Sequence, residues 1–455
     1  MRKQVLAVFA VLGIGALPSG AGAGSLFTEN GPEIEFTIAS DDAESVDWIR
    51  ARPVQIDEAA IDLWSAEGTL ELKLFDDVVL RAEYVADEDD PDGLAPAGIV
   101  WRELPTGEIF EDGTAVIVRE GEGKIYGSIF VHGAVYEVLP TNSPLLHVVV
   151  ERPAERDLAC GTADKAVEGS SDGMAAAAAA AAGEWPPPVE LKDWIIRVLM
   201  VQTAESAHSE WQGVILFSGV DYGELLRRST DSAISAAFRR ARLALTNSGT
   251  QARIVSVTPQ PLKLKYSERP YLEQDLHRLT NNALDGHIAG LRDQYRADVV
   301  FLWRKTDDGS ACGVAWQNYG SASPNRAFAV GAHTCFERVF AHELGHLLSA
   351  QHDFLEEGMT PGHFMGDRAF GYLAPFKGGG FLEWMGVGMN TVMAYDGSCG
   401  RAGFPACMRI NYFSTPTKVI NGSAIGKQYG TYSAPGADNV SAINSTWRTV
   451  ANYRQ

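Results

Sequence analysis

The residues best suited to chemistry lie in one short segment, HELGHLLSAQHD, at 342–353. On a helix, residues four apart lie on one face, so the imidazoles of His342 and His346 can bind one metal ion together. Two nitrogen ligands at this spacing suit Zn²⁺, which binds imidazole nitrogens at about 2.0–2.1 Å. Glu343 follows the first histidine, where its carboxylate can take a proton from water at the metal without being a ligand. The pattern indicates a catalytic zinc site.

A third histidine, His352, comes six residues after His346. On a continuous helix its side chain would point away from the other two, so it becomes a ligand only if the chain turns sharply after about Leu348. Three imidazoles would then leave a fourth position open for water, as catalytic zinc sites do. The alternative is that these histidines are structural, exposed or hydrogen-bonded. Because five of the ten histidines lie between His333 and His363, we favour the metal site.

The segments around this motif predict strands that alternate with helices. The expected elements, in chain order, are a strand at 194–203, a helix at 231–249, a strand at 252–261, a helix at 284–296, a strand at 298–303, and an edge hairpin at 311–318 and 327–332. A helix that carries the zinc motif follows, over 336–350. Such alternation is typical of a mixed sheet with helices against it. The fold class predicted here is α/β (α+β), with an active-site helix.

The N-terminal part of the chain has a different pattern. Residues 24–168 read as short strands with Gly, Asp and Pro turns, which predicts an acidic β-rich domain. Residues 1–189 hold 12 Lys/Arg and 34 Asp/Glu, a net charge of −22, whereas 190–455 hold 26 and 24, a net charge of +2. Neither part has the basic face that nucleic-acid binding requires. An Ala/Pro-rich linker at 169–189 is expected to join this domain to a catalytic domain at 190–455.

The first residues predict export. Arg2 and Lys3 precede an apolar run at 5–17, and small residues at 21–23 offer a cleavage site, so 1–23 reads as a signal peptide. The apolar run is too short to span a bilayer comfortably. We therefore expect a secreted protein, extracellular or periplasmic, with no membrane attachment after the signal is removed. Such a protein can keep disulfides.

The cysteines predict two disulfides and one odd thiol. Four of the five lie in the C-terminal domain and allow three pairings. We expect Cys312 to pair with Cys335 and Cys399 with Cys407, because the predicted strands and turns bring each pair close together. Cys160, in LACGTAD before the linker, is left over.

The zinc motif resembles HExxHxxGxxH of the metzincin metalloproteases, and Asp353 after the third histidine is typical of their adamalysin/reprolysin branch. NTVMAYD at 390–396 resembles the methionine turn of metzincins, with Met393 as the turn methionine. The resemblance is strongest to the peptidyl-Asp metalloendopeptidases, secreted bacterial enzymes, through MAYDGSC, ACMRINYFSTPTK and GADNVSAIN over roughly 192–455, with weaker propeptide-like similarity before the linker.

One departure is Ser349, where the family has glycine. A serine in the left-handed conformation that such a turn uses is strained by roughly 1–2 kcal/mol.

This resemblance implies roles for further residues. Tyr395 lies where some metzincins place a tyrosine near zinc to stabilise an oxyanion; alternatively it only packs in the turn. Met393 is expected to pack under the site, and Asp353 to form hydrogen bonds around the ligands. Cys160 precedes a glycine, as in metzincin propeptides whose thiolate occupies the open zinc position. The alternative for Cys160 is a solvated or buried unpaired thiol.

Enzymes of the peptidyl-Asp family cut on the amino side of aspartate, and binding that carboxylate in a partly dry pocket requires a cation, best a guanidinium. The candidates after the methionine turn are Arg401 and Arg409. We prefer Arg409, because the expected Cys399–Cys407 loop would fix its backbone. Alternatively, both arginines are ordinary surface or ion-paired residues.

The expected function is that of a secreted zinc endopeptidase made as a proenzyme. Its partners would be protein or peptide substrates and its own propeptide as inhibitor, and we expect a monomer. Two other classes stay open: an exported binding or adhesion protein with a structural zinc, and a zinc amidase acting on another polymer. Glu343 argues against the first, because a structural site has no use for a general base. One catalytic zinc ion is expected, and calcium in the Asp/Asn-containing loops stays open.

Overall fold

The computed structural model describes residues 24–30, 49–87, 95–103, 107–131, 134–143, 146–153, 159–163, 194–207, 211–216, 223–284, 287–305, 309, 311–318, 322–335, 338–357, 369–428 and 436–454. The expected signal peptide at 1–23 and the linker at 169–189 lie outside these residues. Within them, no helix is both long and apolar enough to cross a membrane. The chain has a mixed α/β structure.

The N-terminal part forms one ten-stranded sheet. Its strands are β1 (Gly24–Ser25), β2 (Phe27–Asn30), β3 (Arg50–Ile56), β4 (Thr69–Phe75), β5 (Val78–Tyr84), β6 (Ala97–Glu103), β7 (Ile109–Gly121), β8 (Lys124–Val131), β9 (Ala134–Pro140) and β10 (Leu146–Pro153). The order is β1-β4-β5-β6-β7-β8-β9-β10-β3-β2, and every pair except β1–β4 is antiparallel. Helix α1 (Glu58–Glu67), capped by Asp57, packs against β4 and β5. We call this unit the N-terminal sheet.

Both faces of the N-terminal sheet are covered. Side chains alternate between the two faces of a strand, so neighbours on β7 belong to different clusters. Ala115 and Ile117 pack into the apolar cluster under α1, whereas Val116 and Val118 pack into the core of the C-terminal part. One face of the N-terminal sheet is therefore buried against the rest of the chain.

A seven-stranded sheet forms the centre of the C-terminal part. Its strands are β11 (Ala159–Ala163), β12 (Ile196–Gln202), β15 (Ile254–Ser256), β16 (Leu262–Lys263), β17 (Val299–Arg304), β18 (Ala311–Trp316) and β19 (Phe328–Ala332), while β13 (Trp211–Leu216) and β14 (Gly223–Arg228) form a separate hairpin. The order is β11-β18-β19-β17-β12-β15, with β16 also beside β12. Only the β18–β19 pair is antiparallel, so the sheet is mixed as expected.

The predicted hairpin at 311–318 and 327–332 is present as β18 and β19, but it is not the edge of the sheet. Strand β11, which precedes the linker, pairs in parallel with the outer side of β18. The outer side of an edge strand carries backbone donors and acceptors that another strand can satisfy. The pairing of two segments separated by about 150 positions has no local signal in the sequence.

Helices cover the seven-stranded sheet. The longest, α3, spans Thr230–Ser248 near its predicted bounds, because Ser229 caps its start and Gly249 adopts the left-handed conformation at its end. The remaining helices are α2 (Ala204–Ala207), α4 (Leu272–Thr280), α5 (Ile288–Gln294), α6 (Val339–Leu347), α7 (Phe354–Glu357), α8 (Gly380–Trp384), α9 (Gly397–Arg401) and α10 (Asn439–Val450). Of these, α5 lies within the helix expected at 284–296, whereas α4 and α10 were not expected.

Short strands and turns follow α6. They are β20 (Gln351–Asp353), β21 (Phe370–Gly371), β22 (Leu373–Pro375), β23 (Gly388–Asn390), β24 (Cys407–Arg409), β25 (Thr415–Ile420) and β26 (Ser423–Ile425). Both expected disulfides are present: Cys312 joins β18 to Cys335, and Cys399 joins α9 to Cys407 on β24. The methionine-turn segment lies directly between β23 and α9.

Candidate active site

Helix α6 carries the first two histidines of the motif and then stops abruptly. Leu348 and Ser349 form the turn, and the Ala350 amide donates to the Gly345 carbonyl at 2.8 Å. Ser349 is fully buried and has a φ of +71°, the left-handed conformation that glycine would adopt freely. The turn expected after Leu348 is therefore present, and it delivers His352 on β20.

Three imidazoles converge at this turn. The ligand atoms of His342, His346 and His352 lie within 4.8 Å of one another, and all three residues are buried. The Nε2 atoms of His346 and His352 are 2.9 Å apart. Nδ1 of His342 lies 2.9 Å from the Val392 carbonyl, and Nδ1 of His346 lies 3.0 Å from the Ala350 carbonyl. Because a carbonyl only accepts, each of these Nδ1 atoms donates, and in the neutral ring the Nε2 atom then carries a lone pair.

This arrangement fits a zinc ion. Nε2 of His342 is buried with no hydrogen-bond partner among the described residues. The Nε2 atoms of His346 and His352 face the same space, and converging nitrogens of neutral imidazoles are suited to a cation. Burial, together with the neighbouring His346, His352 and Arg338, holds the pKa of His342 well below its usual value, which favours the neutral form that binds metals. Within the described residues, these histidines are the group of His, Cys, Asp or Glu placed to hold a metal ion.

Glu343 lies between α6 and strand β18. It is buried, and a Cβ added to Gly313 would lie 2.5 Å from Glu343 Oε1 and 2.4 Å from Val339 Cγ2. A side chain at position 313 would crowd this carboxylate and Val339. Glu343 follows His342 on α6, and its carboxylate packs against Gly313 of β18. Strand β18 is also the strand with which β11 pairs.

Met393 lies beneath the histidines. It is fully buried, and a Cβ on Gly345 would lie 2.5 Å from its sulfur and 3.0 Å from Phe413. Gly345 lies between the two helical histidines, so the methionine turn packs against the helix at the level of the site. This contact is packing, as expected for Met393.

Asp353 and Tyr395 connect β20 to the methionine turn. One oxygen of Asp353 accepts from the Tyr395 amide at 3.0 Å, and the other accepts from the amides of Leu355 and Glu356 at 3.1 and 3.2 Å. The hydroxyl of Tyr395 lies 3.1 Å from Nε2 of His352. Asp353 thus ties β20 to the methionine turn, and the Tyr395 hydroxyl contacts His352 directly.

The two candidate arginines each have a carboxylate partner. Arg409 Nε donates to Asp396 at 2.6 Å, and Arg401 pairs with Glu356 and donates to the Leu355 carbonyl at 2.9 Å. Arg401 is about half exposed, whereas Arg409 is largely buried.

Arg338 is a second partner of Asp396 that was not predicted. Its Nη1 lies 3.6 Å from Asp396, and it also donates to the Ala394 carbonyl. Burial alone would raise the pKa of Asp396, but Arg338 and Arg409 lower it below its usual value. Arg338 is the residue that precedes α6, four positions before His342, so the sequence alone placed it near the motif.

The backbone of Cys160 lies beside the site. It is opposite Gly313 in the parallel pairing of β11 with β18, and Gly313 in turn contacts Glu343. The side chain of Cys160 lies outside the described part of the chain.

Residues 195–414 match the metallo-peptidase family M12, as represented by Reprolysin_5. The match covers 220 of the 455 residues of the chain. The chain is a zinc metalloendopeptidase. It is 27% identical over 423 residues, 88% of this chain and 86% of the relative, to a peptidyl-Asp metalloendopeptidase of Stenotrophomonas maltophilia (strain R551-3). A peptidyl-Asp metalloendopeptidase of Xanthomonas campestris pv. campestris is 26% identical over 471 residues, 96% of this chain and 95% of that one.

Two solved structures superpose weakly on this zinc metalloendopeptidase. Metalloproteinase-II from Bacteroides fragilis superposes with a TM-score of 0.35 at 12% identity, over 64% of this chain and 82% of that one. A chaperone–substrate complex gives a TM-score of 0.39 at 19% identity, over 58% of this chain and 36% of that one.

Proposed function

We propose that this metalloendopeptidase is an exported proenzyme that binds Zn²⁺ through His342, His346 and His352 and uses Glu343 as general base and acid. The observation that carries the proposal is the convergence of three buried imidazoles, two of which donate through Nδ1 to backbone carbonyls. A bound Zn²⁺ supplies Lewis-acid polarisation of a peptide carbonyl and makes water more acidic. The two disulfides, Cys312–Cys335 and Cys399–Cys407, suit export to an oxidising compartment.

Different residues orient the ligands, transfer the proton and stabilise the oxyanion in the proposed hydrolysis. The carbonyls of Val392 and Ala350 fix the rings of His342 and His346, so the Nε2 lone pairs are aimed before metal arrives. Glu343 accepts the proton of water as its oxygen bonds to the carbonyl carbon, and it returns that proton to the nitrogen as the C–N bond breaks. In this proposal Tyr395, whose hydroxyl lies 3.1 Å from Nε2 of His352, donates to the developing oxyanion.

The N-terminal part of the chain supplies the inhibitor in this proposal, with 24–168 as propeptide and 169–189 as the segment cut on activation. Strand β11 lies along the outer side of β18, which an extended substrate would otherwise pair with. The backbone of Cys160 is opposite Gly313 in this pairing, and Gly313 is next to Glu343. In this proposal the Cys160 thiolate occupies the open metal position of the precursor. Replacing Cys160 by Ser should give a precursor with leaky activity, and an equally silent precursor would count against this role.

We further propose a preference for aspartate after the scissile bond. Both relatives named above are peptidyl-Asp metalloendopeptidases, and Arg409 lies near the site in this chain. Arg401 is the weaker candidate, because its guanidinium contacts α7 and is about half exposed. Cleavage of a peptide library would test the preference: Asp should dominate the position just after the cut.

One experiment tests the proposed reaction as a whole. The activated enzyme should hydrolyse casein, a chelator should stop the hydrolysis, and added Zn²⁺ should restore it. Stoichiometric zinc without casein hydrolysis would instead indicate a structural zinc or a zinc amidase.

A further inference from the structure

A cavity lies between the start of α6 and the N-terminal sheet. It is adjacent to the metal centre, since Ala341 and Val392 form part of its wall, and the Val392 carbonyl bonds to His342 Nδ1. The polar and aromatic side chains that line it include Arg240, Arg338, Arg409, Asn390, Asn411 and Phe130.

Three guanidinium groups line this cavity, and Asp396 contacts two of them. Arg409 donates to Asp396 at 2.6 Å, and Arg338 lies 3.6 Å from it. Asn390 also donates to the same carboxylate. Guanidinium groups that face one cavity suit an anion, because a carboxylate accepts charge-assisted hydrogen bonds from a planar guanidinium through both of its oxygens.

The third arginine is held by the N-terminal sheet. Arg240, on α3, is nearly fully buried and donates to Thr114 Oγ1 at 3.1 Å and to Ser128 Oγ at 3.0 Å. Its guanidinium carbon lies 5.9 Å from the centre of the Phe130 ring. All three partners belong to the N-terminal sheet, which therefore both closes the cavity and engages Arg240.

We propose that this cavity binds the acidic side chain of a peptide substrate, with Arg240 and Arg338 as specificity-determining residues beside Arg409. The inference rests on the proposed peptidase function and identifies the groups that select its substrate. A planar guanidinium bonds both oxygens of a carboxylate, and an amide of the same size offers no charge to match. In the precursor the N-terminal sheet covers the cavity with Phe130. Its removal opens the cavity and releases the donors of Arg240.

Two peptides that differ only in Asp or Asn after the scissile bond test this assignment. The full precursor is produced, cut within 169–189, and assayed with zinc; kcat/KM is measured for both peptides. In Arg240→Gln and Arg338→Gln, the ratio of kcat/KM for the Asp peptide to kcat/KM for the Asn peptide should fall at least tenfold. Arg240→Lys and Arg338→Lys keep the positive charge and should retain part of the Asp-to-Asn ratio. This partial retention shows that the loss in the Gln variants is not caused by misfolding.

Arg239→Gln is the matched control. Arg239 neighbours Arg240 and also bonds to the N-terminal part, through the carbonyls of Val85 and Ala95, but it does not line the cavity. Its substitution should leave the ratio unchanged.

The outcomes separate the inference from the proposed function. If the wild-type enzyme cuts neither peptide, the peptidase proposal fails and this inference fails with it. If the wild type prefers Asp and the Gln variants keep the ratio, or lose both peptides equally with zinc still bound, the cavity assignment alone is overturned.

Discussion

The metal centre and the contact between the N-terminal sheet and the C-terminal part are both buried and polar, but they differ in what satisfies them. At the metal centre, three imidazoles turn ring nitrogens toward one another, and Nε2 of His342 has no partner among the described residues. At the domain contact, donors meet acceptors: Asn421 bonds twice to the backbone of Glu111, and the Tyr412 hydroxyl donates to the Glu111 carboxylate at 3.0 Å.

This difference indicates different functions. A cluster of converging acceptor nitrogens is completed by a cation from outside the chain, which suits a cofactor site. At the domain contact, the polar groups of Glu111 have hydrogen-bond partners within the chain, so no ion or ligand is required there. This contact persists as long as the N-terminal sheet stays bound. Under the proposed function, the first cluster carries out the chemistry and the second holds the inhibitory N-terminal sheet in place. Each can be tested by substituting its residues.

The largest effect is expected at the metal centre. Glu343→Gln keeps the size of the side chain but removes the base, so kcat should fall by a factor on the order of 10²–10⁴. Zinc content, measured by elemental analysis, should stay near stoichiometric, because Glu343 is not a ligand. A variant that cleaves casein at the normal rate would falsify the proposed mechanism.

Metal removal should destabilise the same region. A ligand that binds only the folded state adds about 4 kcal/mol to the free energy of unfolding when its concentration is about 1,000 times Kd. Urea unfolding with excess zinc and with a chelator measures this difference. His352→Ala should strongly reduce the zinc-dependent difference in the free energy of unfolding. His277 lies on α4, and His277→Ala should leave that difference unchanged. Equal zinc stabilisation in wild type and His352→Ala would remove His352 from the ligand set.

The domain contact should depend on pH through Glu111. Burial raises the pKa of Glu111 to about 8, although its bond from Tyr412 and the nearby Lys418 act in the opposite direction. In the folded precursor Glu111 therefore holds its proton up to about pH 8, while in the unfolded chain it loses it near pH 4–5. Between these values the folded state binds more protons, so the free energy of unfolding should fall as pH rises, by at most about 1.4 kcal/mol per pH unit.

Glu111→Gln checks this dependence, because glutamine keeps the contacts and cannot ionise. Urea unfolding of the full precursor at pH 5, 6.5 and 8 should show a smaller loss of stability toward pH 8 in this variant than in wild type. Glu122→Gln, in the exposed turn after β7, serves as control and should follow the wild type. Parallel pH profiles for wild type and Glu111→Gln would contradict the expectation.

The smallest effect is expected at Ser349. Glycine at this left-handed position relieves strain of about 1–2 kcal/mol, less about 0.5–1 kcal/mol of added backbone entropy in the unfolded chain. Ser349→Gly should therefore raise the free energy of unfolding slightly and keep activity, whereas Ser349→Ala, which keeps the strain, should not. Thermal unfolding of the two variants decides between them, and a destabilised glycine variant would show that the serine hydroxyl matters more than the strain.

Features set by neighbouring residues were predictable from the sequence. His342, Glu343 and His346 lie on one helix, so their spacing alone places them, and Ser229 and Gly249 mark the ends of α3 through local capping. The sharp turn that makes His352 a neighbour of His346 followed from the spacing, once a third ligand was expected. The elements expected at 231–249 and 298–303 agree closely with α3 and β17.

Features set by contacts between distant segments were decided only by the tertiary structure. Strand β11 pairs with β18, and Asp396 forms ion pairs with Arg338 and Arg409. Arg240 donates hydrogen bonds to Thr114 and Ser128 of the N-terminal sheet. A local pattern fixes side-chain direction within one helix or strand, because the backbone geometry there is regular. Which surfaces then meet depends on packing of the whole chain, and so do the burial and the charge partners of Glu111, Asp396 and Arg240.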